Sequence, residues 1–152
     1  MPEPIGRHLV WVPFSMRLGW RYHSSKSELE AFAHISREER EKRLFERLRK
    51  ILLYADRHVT FYRRHYRNHG YDPASFRKLE DWKNVPIVTK SDLKGVDFEN
   101  RLSDNCSGLK INTGGTSGSP LEFYIDRHAF SREWAHMHHI WMKRGYRPHH
   151  LK

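Results

Sequence analysis

Cysteine is almost absent from this 152-residue chain, and no long apolar run interrupts its polar sequence. The single Cys106 excludes an intramolecular disulfide framework and fits a reducing compartment. The sequence opens without a basic segment followed by an apolar core, and no stretch approaches the roughly 20 apolar residues that span a bilayer. We therefore expect no transmembrane segment and a cytoplasmic protein.

Acidic residues are also in short supply, since 28 Lys and Arg face 18 Asp and Glu and the net charge is +10. The segment 37–67 concentrates this surplus, with eleven basic and five acidic residues. Glu and Arg alternate there at helical spacing, as in Glu39 and Arg43, which predicts a solvated helix face. The alternative is a small basic module that binds nucleic acid or an anionic surface, and a steep salt dependence of binding would identify it.

We interpret residues 1–26 as an extended arm, and signals for helices follow it. Ser27 and Ser36 each stand three residues before a glutamate, the spacing of a capping box, and predict helices near 27–34 and 37–57. Apolar residues in the second helix fall on one face and predict its buried side: Leu44, Leu48, Ile51, Leu52 and Ala55.

Helical structure is predicted to continue to residue 71, with Gly70 after the last turn. The aromatic residues of this part could stack on bases, but core packing is the favoured interpretation. Thr89 and Asp92 predict a further short helix, and a last helix is predicted over 127–144. Its buried side is expected at Phe130, Trp134, Met137, Ile140 or Trp141, and Arg144.

Glycine is scarce, with nine residues, yet three of them lie within 112–120. Strand-like runs at 108–111 and 121–125 flank this segment and predict a β-hairpin that carries it. Glycines allow close approach of a ligand, and consecutive N–H groups and hydroxyls can hold phosphate oxygens. A turn rich in small residues is the other interpretation. The candidate phosphate-binding residues are Thr113, Gly114, Gly115, Thr116, Ser117 and Gly118.

Other kinds of site are not indicated by the sequence. A Walker A motif would need Gly-Lys-Ser/Thr before a helix, and a Gly-x-Ser-x-Gly nucleophile motif is missing as well. His136 and His139 share one helix face, as two metal ligands would. No further Cys, His or carboxylate residue stands at a spacing typical of a metal site, so we predict a histidine-rich surface helix. We assign no catalytic residue and no metal ligand.

The segment Thr113–Pro120 resembles the phosphate loop of the adenylate-forming (acyl-CoA synthetase) superfamily. Further motifs are similar, in the same order, to phenylacetate–CoA ligase-like proteins and above all to their CapK-type branch, which is associated with capsular polysaccharide genes. These motifs are Tyr54-Ala55, His58–Arg63, Gly70–Pro73, Leu79–Trp82, Val85–Leu93, Pro120–Asp126, Ser131–Trp134, Trp141 and Gly145-Tyr146.

This resemblance implies an α/β fold in which residues 27–152 are the N-terminal part of the ligase large domain. It also implies ATP and Mg²⁺, a small carboxylic acid as substrate, and coenzyme A as a possible acyl acceptor. Because acidic residues are interleaved with the basic ones in 37–67, we expect no nucleic-acid partner. The loop residues 113–118 would contact the pyrophosphoryl group, although Ser119 stands where many relatives carry lysine. Few residues follow Pro120, so the resemblance implies an N-terminal fragment that lacks the family's magnesium motif and catalytic lysine and is inactive alone.

Overall fold

The computed structural model describes residues 16, 18–104, 106–114 and 120–146. They fall into two compact units, Met1–Ile35 with Arg127–Lys152, and Ser36–Asp126. The described residues are mostly helical and include one small antiparallel sheet. This confirms the predicted order of elements: a helical N-terminal part, a β-hairpin and a C-terminal helix. The α-helices are α1 (Gly19–His34), α2 (Arg37–His58), α3 (Thr60–Asn68), α4 (Lys90–Lys94) and α5 (Ala129–Met142). The strands are β1 (Leu109–Asn112) and β2 (Glu122–Ile125), and short 3-10 helices lie at Pro73–Ser75, Leu79–Asn84 and Glu99–Arg101.

Helix α2 begins where its capping signal predicts. The hydroxyl of Ser36 accepts a hydrogen bond from the backbone N–H of Glu39 at 3.1 Å, which satisfies one of the free donors of the first turn. The predicted pair of Glu39 and Arg43 forms at 2.7 Å, and Arg37 pairs with Glu41 at the same distance. These contacts place charged residues of both signs together on the helix surface. The nucleic-acid alternative itself stays an untested prediction.

The predicted apolar face of α2 is only partly buried. Leu52 and Ala55 are buried as expected, whereas Leu44 and Ile51 are 49% and 60% exposed. Leu52 forms the core of the unit Ser36–Asp126 together with Tyr66 and Phe76. Partly buried hydrophobic residues surround this core: Phe45, Leu48, Tyr62, Tyr71 and Val85. The aromatic residues of α3 therefore serve packing, as the sequence favoured, and each fully buried large side chain contributes about 1.5–3 kcal/mol.

Helix α3 ends at Asn68, three residues earlier than predicted, and the predicted glycine follows its C-cap. Gly70 has a φ of +62°, which a residue with a Cβ rarely adopts. Its N–H donates to the carbonyl of Arg67 at 3.0 Å, and the N–H of Tyr71 donates to the carbonyl of Tyr66 at 2.9 Å. These two bonds make a Schellman motif, which satisfies the last carbonyls of the helix.

The extended arm predicted for residues 1–26 is wrong over its last part, because α1 already begins at Gly19. Tyr22 is buried, and its hydroxyl lies 2.8 Å from Nδ1 of His138 in α5. This packing stabilises helical turns before the capping signal at Ser27, which lies inside the helix. Residues 1–15 and 17 lie outside the described residues.

The buried face of helix α5 is only partly the one predicted: Trp134, Met137 and Trp141, the second of the two alternatives at 140 and 141, are half-buried. Ala135 and His138 are buried, whereas Phe130 is 55% and Ile140 58% exposed. Arg144 is exposed as well. The face is set by His138, whose ring lies 5.4–6.0 Å from the rings of several aromatic residues: Tyr22, Trp134, Trp141 and Tyr146. The predicted Trp134 and Trp141 thus pack on a buried histidine that the periodicity did not include.

The predicted end of α5 is close to the observed one. Gly145 has a φ of +86°, and the N–H of Tyr146 donates to the carbonyl of Trp141 at 3.2 Å.

Within the described part of the chain, no helix is both long enough and apolar enough to cross a membrane.

Candidate phosphate-binding hairpin

Strands β1 and β2 form the hairpin that carries the glycine-rich loop. They pair antiparallel, with Leu109 opposite Ile125 and Asn112 opposite Glu122. Each strand begins one residue after the start that the sequence predicted, at 109 and 122 instead of 108 and 121. Such a hairpin brings both ends of the loop to one place.

Two hydrogen bonds close the loop at its base. The N–H of Thr113 donates to the carbonyl of Leu121 at 3.0 Å. The N–H of Leu121 in turn donates to the side-chain hydroxyl of Thr113 at 2.9 Å. Thr113 therefore fastens the loop with both its backbone and its side chain, while the hydrogen of its hydroxyl can still be donated to another acceptor.

Of the six candidate residues, the structure describes Thr113 and Gly114. A methyl group on Gly114 would meet no atom within 4 Å, so the described residues leave open space beside this backbone. The other four candidates lie outside the described residues: Gly115, Thr116, Ser117 and Gly118. Their contribution to phosphate binding stays a prediction.

Gly108, predicted only as the start of a strand, also shapes the hairpin. A Cβ at this position would lie 2.1 Å from the carbonyl oxygen of Ile125 and 2.9 Å from its carbon. Only glycine permits this close approach of the two strands. A glycine directly before a strand was the available signal, but the sequence could not supply the distance.

The charged side chains of the hairpin stem are already paired. Nζ of Lys110 lies 3.0 Å from the carboxylate of Glu122, and both side chains are about half exposed. Lys110 also lies 4.6 Å from the centre of the Phe98 ring. Since this cation is engaged by a carboxylate and an aromatic ring, it offers little net charge to a ligand.

The histidine-rich part of α5 shows no arrangement for a metal. Nδ1 of His136 donates to the carbonyl of Arg132 at 2.8 Å. Among the described residues, no group of three or more His, Cys, Asp and Glu side chains is placed to hold a metal ion.

No family model matches the chain, but comparison with known proteins finds two ligases that are similar to parts of it. A phenylacetate–coenzyme A ligase of Thermus thermophilus is 43% identical over 49 residues, which are 32% of this chain and 11% of that ligase. A crystal structure of 2-hydroxyisobutyryl-CoA ligase with 2-HIB-AMP and CoA, in the thioesterification state, matches with a TM-score of 0.53 and 31% identity. Over the matched part, the fold of this chain is similar to that of part of a CoA ligase. An open conformation of the same ligase, also with 2-HIB-AMP and CoA, matches with a TM-score of 0.52 and 30% identity.

The matched part of the CoA ligases is small. Each structural match covers 62% of this chain but only 21% and 23% of the ligase chain. The chain thus spans about a tenth of the curated ligase and about a fifth of the solved ones. The resemblance to phenylacetate–CoA ligase-like proteins is supported at the level of CoA ligases, and the CapK-type branch stays a prediction.

Proposed function

We propose that this chain is the N-terminal part of an adenylate-forming ligase and that its hairpin loop binds the phosphates of ATP with Mg²⁺. The observation that supports this proposal best is the hairpin itself. Its loop is rich in glycine and hydroxyl groups and is closed at its base by Thr113 and Leu121. Its occurrence in a fold shared with a CoA ligase that was crystallised with an acyl-AMP and CoA supports the proposal.

For the whole protein we propose the reaction that the resemblance implies. A carboxylic acid and ATP would give an acyl-adenylate and pyrophosphate, and the acyl group would pass to CoA or another acceptor. The order of the motifs supports the CapK-type branch, and with it a part in capsular polysaccharide synthesis. Because the chain spans about a fifth of its structural relatives, we expect it to bind phosphates on its own without turnover.

The proposed role of the loop is electrostatic. The N–H groups and hydroxyls of residues 113–118 would donate to the oxygens of the leaving pyrophosphoryl group, and donors held in place stabilise the charge that develops there. Ser119 adds no positive charge where many relatives have lysine. Affinity would therefore depend on backbone and hydroxyl donors and on Mg²⁺ bound to the nucleotide.

Gly114→Ala tests the loop without disturbing the fold. The added methyl group meets no atom of the described chain within 4 Å, but it would fill space that we assign to the phosphates. Loss of one hydrogen bond to a charged group should weaken binding of pyrophosphate with Mg²⁺ about tenfold in calorimetric titration. Gly115→Asp, which adds a carboxylate to the loop, should abolish binding.

Gly95→Ala is the matched control, because its methyl group would meet only ordinary contacts at 3.6 and 3.8 Å. It lies outside the hairpin and should leave the affinity unchanged. Wild-type affinity in both loop variants, with an unchanged unfolding transition, would refute the proposed role of the loop.

A further inference from the structure

The hairpin is held to the preceding segment by one arginine. Arg101 closes the 3-10 helix Glu99–Arg101, and its Nη1 donates to the backbone carbonyl of Glu122 at 3.3 Å. Glu122 is the first residue of β2 and directly follows Leu121, which closes the phosphate loop. The arginine therefore contacts the backbone at the exit of the loop.

The same guanidinium group lies against an aromatic ring that also contacts both strands. The central carbon of the Arg101 guanidinium is 5.2 Å from the centre of the Phe98 ring. Lys110 of β1 contacts this ring at 4.6 Å, and the ring of Tyr124 in β2 lies 5.5 Å away. Cations over an aromatic face are attracted by its quadrupole, so Phe98 links Arg101 to both strands.

The segment that carries Arg101 is fixed in turn to the helical layer of its unit. Ser103 forms an isolated antiparallel bridge with Val59, the residue between α2 and α3. Nδ1 of His58 donates to the carboxylate of Asp104 at 3.2 Å. A continuous series of contacts thus runs from the junction of α2 and α3 through Arg101 to the exit of the loop.

We propose that Arg101 is a positioning residue for the phosphate loop, which it holds through the carbonyl of Glu122 and the ring of Phe98. The proposal rests on the function proposed for the loop. It assigns Arg101 no contact with the nucleotide. Its planar guanidinium can donate a hydrogen bond and stack on a ring at the same time, whereas a lysine ammonium can satisfy one of these contacts well.

The first measurement is amide hydrogen exchange in Arg101→Ala and Arg101→Lys. Removal of a hydrogen bond made by a charged group should speed exchange in β1 and β2 about tenfold for alanine, with a smaller effect for lysine. Exchange in α2 should stay as in the wild type. Unchanged exchange in the strands of both variants would overturn the proposal, and Arg101→Lys keeps the test valid if the alanine variant does not fold.

The second measurement is binding of pyrophosphate with Mg²⁺. Arg101→Ala should weaken it about five- to tenfold, on the scale of one lost charge-assisted hydrogen bond, and Arg101→Lys should recover part of the affinity. Arg37→Ala is the control, because it removes the same charge from a side chain that is 92% exposed. Equal losses in Arg101→Ala and Arg37→Ala would show a general charge effect and overturn the positioning role.

A double variant separates positioning from direct binding. If Arg101 acts through the loop, Arg101→Ala should cause little further loss of affinity in the Gly114→Ala background. A full additional loss would mean that Arg101 contacts the anion itself. If the wild type does not bind pyrophosphate, the proposed function fails, while accelerated exchange in Arg101→Ala would still support the contact that holds the hairpin.

Discussion

Gly108→Ala should open the base of the hairpin. The methyl group would lie 2.1 Å from the carbonyl oxygen of Ile125, whereas ordinary contacts begin at 3.4 Å. The strands must therefore separate by more than about 1 Å, which breaks hydrogen bonds near the pair of Leu109 and Ile125. Two lost bonds at about 1 kcal/mol each lower the local stability by about 2 kcal/mol and speed amide exchange about 30-fold.

Hydrogen exchange followed by NMR measures this effect strand by strand. The amides of β1 and β2 should exchange faster, and those of α2 should keep their wild-type rates. Gly95→Ala serves as the control, because its methyl group finds ordinary contacts at 3.6 Å. If β1 and β2 in Gly108→Ala kept wild-type protection, the close approach of Gly108 to Ile125 would not exist in solution.

Two further predictions concern the helices. Ser36→Ala removes the N-cap of α2 and should cost about 1 kcal/mol in chemical denaturation, whereas Ser27→Ala, inside α1, should be neutral or slightly stabilising; equal costs would place a cap at Ser27. The pKa of His138 is lowered by burial and, to a smaller extent, by Lys26, from an ordinary value of 6.5. The unfolded chain then takes up the proton more readily, so stability should be full above about pH 6.5 and fall as the pH decreases toward the lower folded pKa. Denaturation followed by tryptophan fluorescence should show this slope in the wild type and a flatter profile in His138→Gln, and identical profiles would contradict the burial of His138.

Helix ends could be predicted from the sequence because their signals act over a few residues. Ser36 bonds to an N–H three positions away, Thr89 does the same with Asp92, and Gly70 ends α3 through its own backbone conformation. The start of α1 depends instead on a contact between Tyr22 and His138, which are 116 positions apart. No local pattern contains that information, so the last part of the arm was predicted wrongly, as was the burial of Phe130 and Arg144 in α5.

The candidate site also has features that the sequence predicted and features that it could not predict. The hairpin followed from the glycines and the apolar runs beside them, since these are properties of one short stretch. The hydroxyl of Thr113 as a closing group, the clash at Gly108 and the reach of Arg101 to Glu122 depend on distances across the hairpin or from another segment. Residue type suggested phosphate contact for Thr113, but only the register showed that its oxygen also fastens the loop.

The charges around the hairpin indicate how the loop could recognise phosphate at all. Lys110 is paired with Glu122, and Arg101 is directed to a backbone carbonyl and the Phe98 ring. With Ser119 in place of a lysine, neither these cations nor the loop sequence adds a free positive charge to the proposed phosphate site. Recognition would then rest on oriented N–H and hydroxyl dipoles, which act at short range and are little affected by salt. Such a loop suits a nucleotide whose charge Mg²⁺ has already reduced, because uncharged donors compensate poorly for the repulsion within a bare triphosphate.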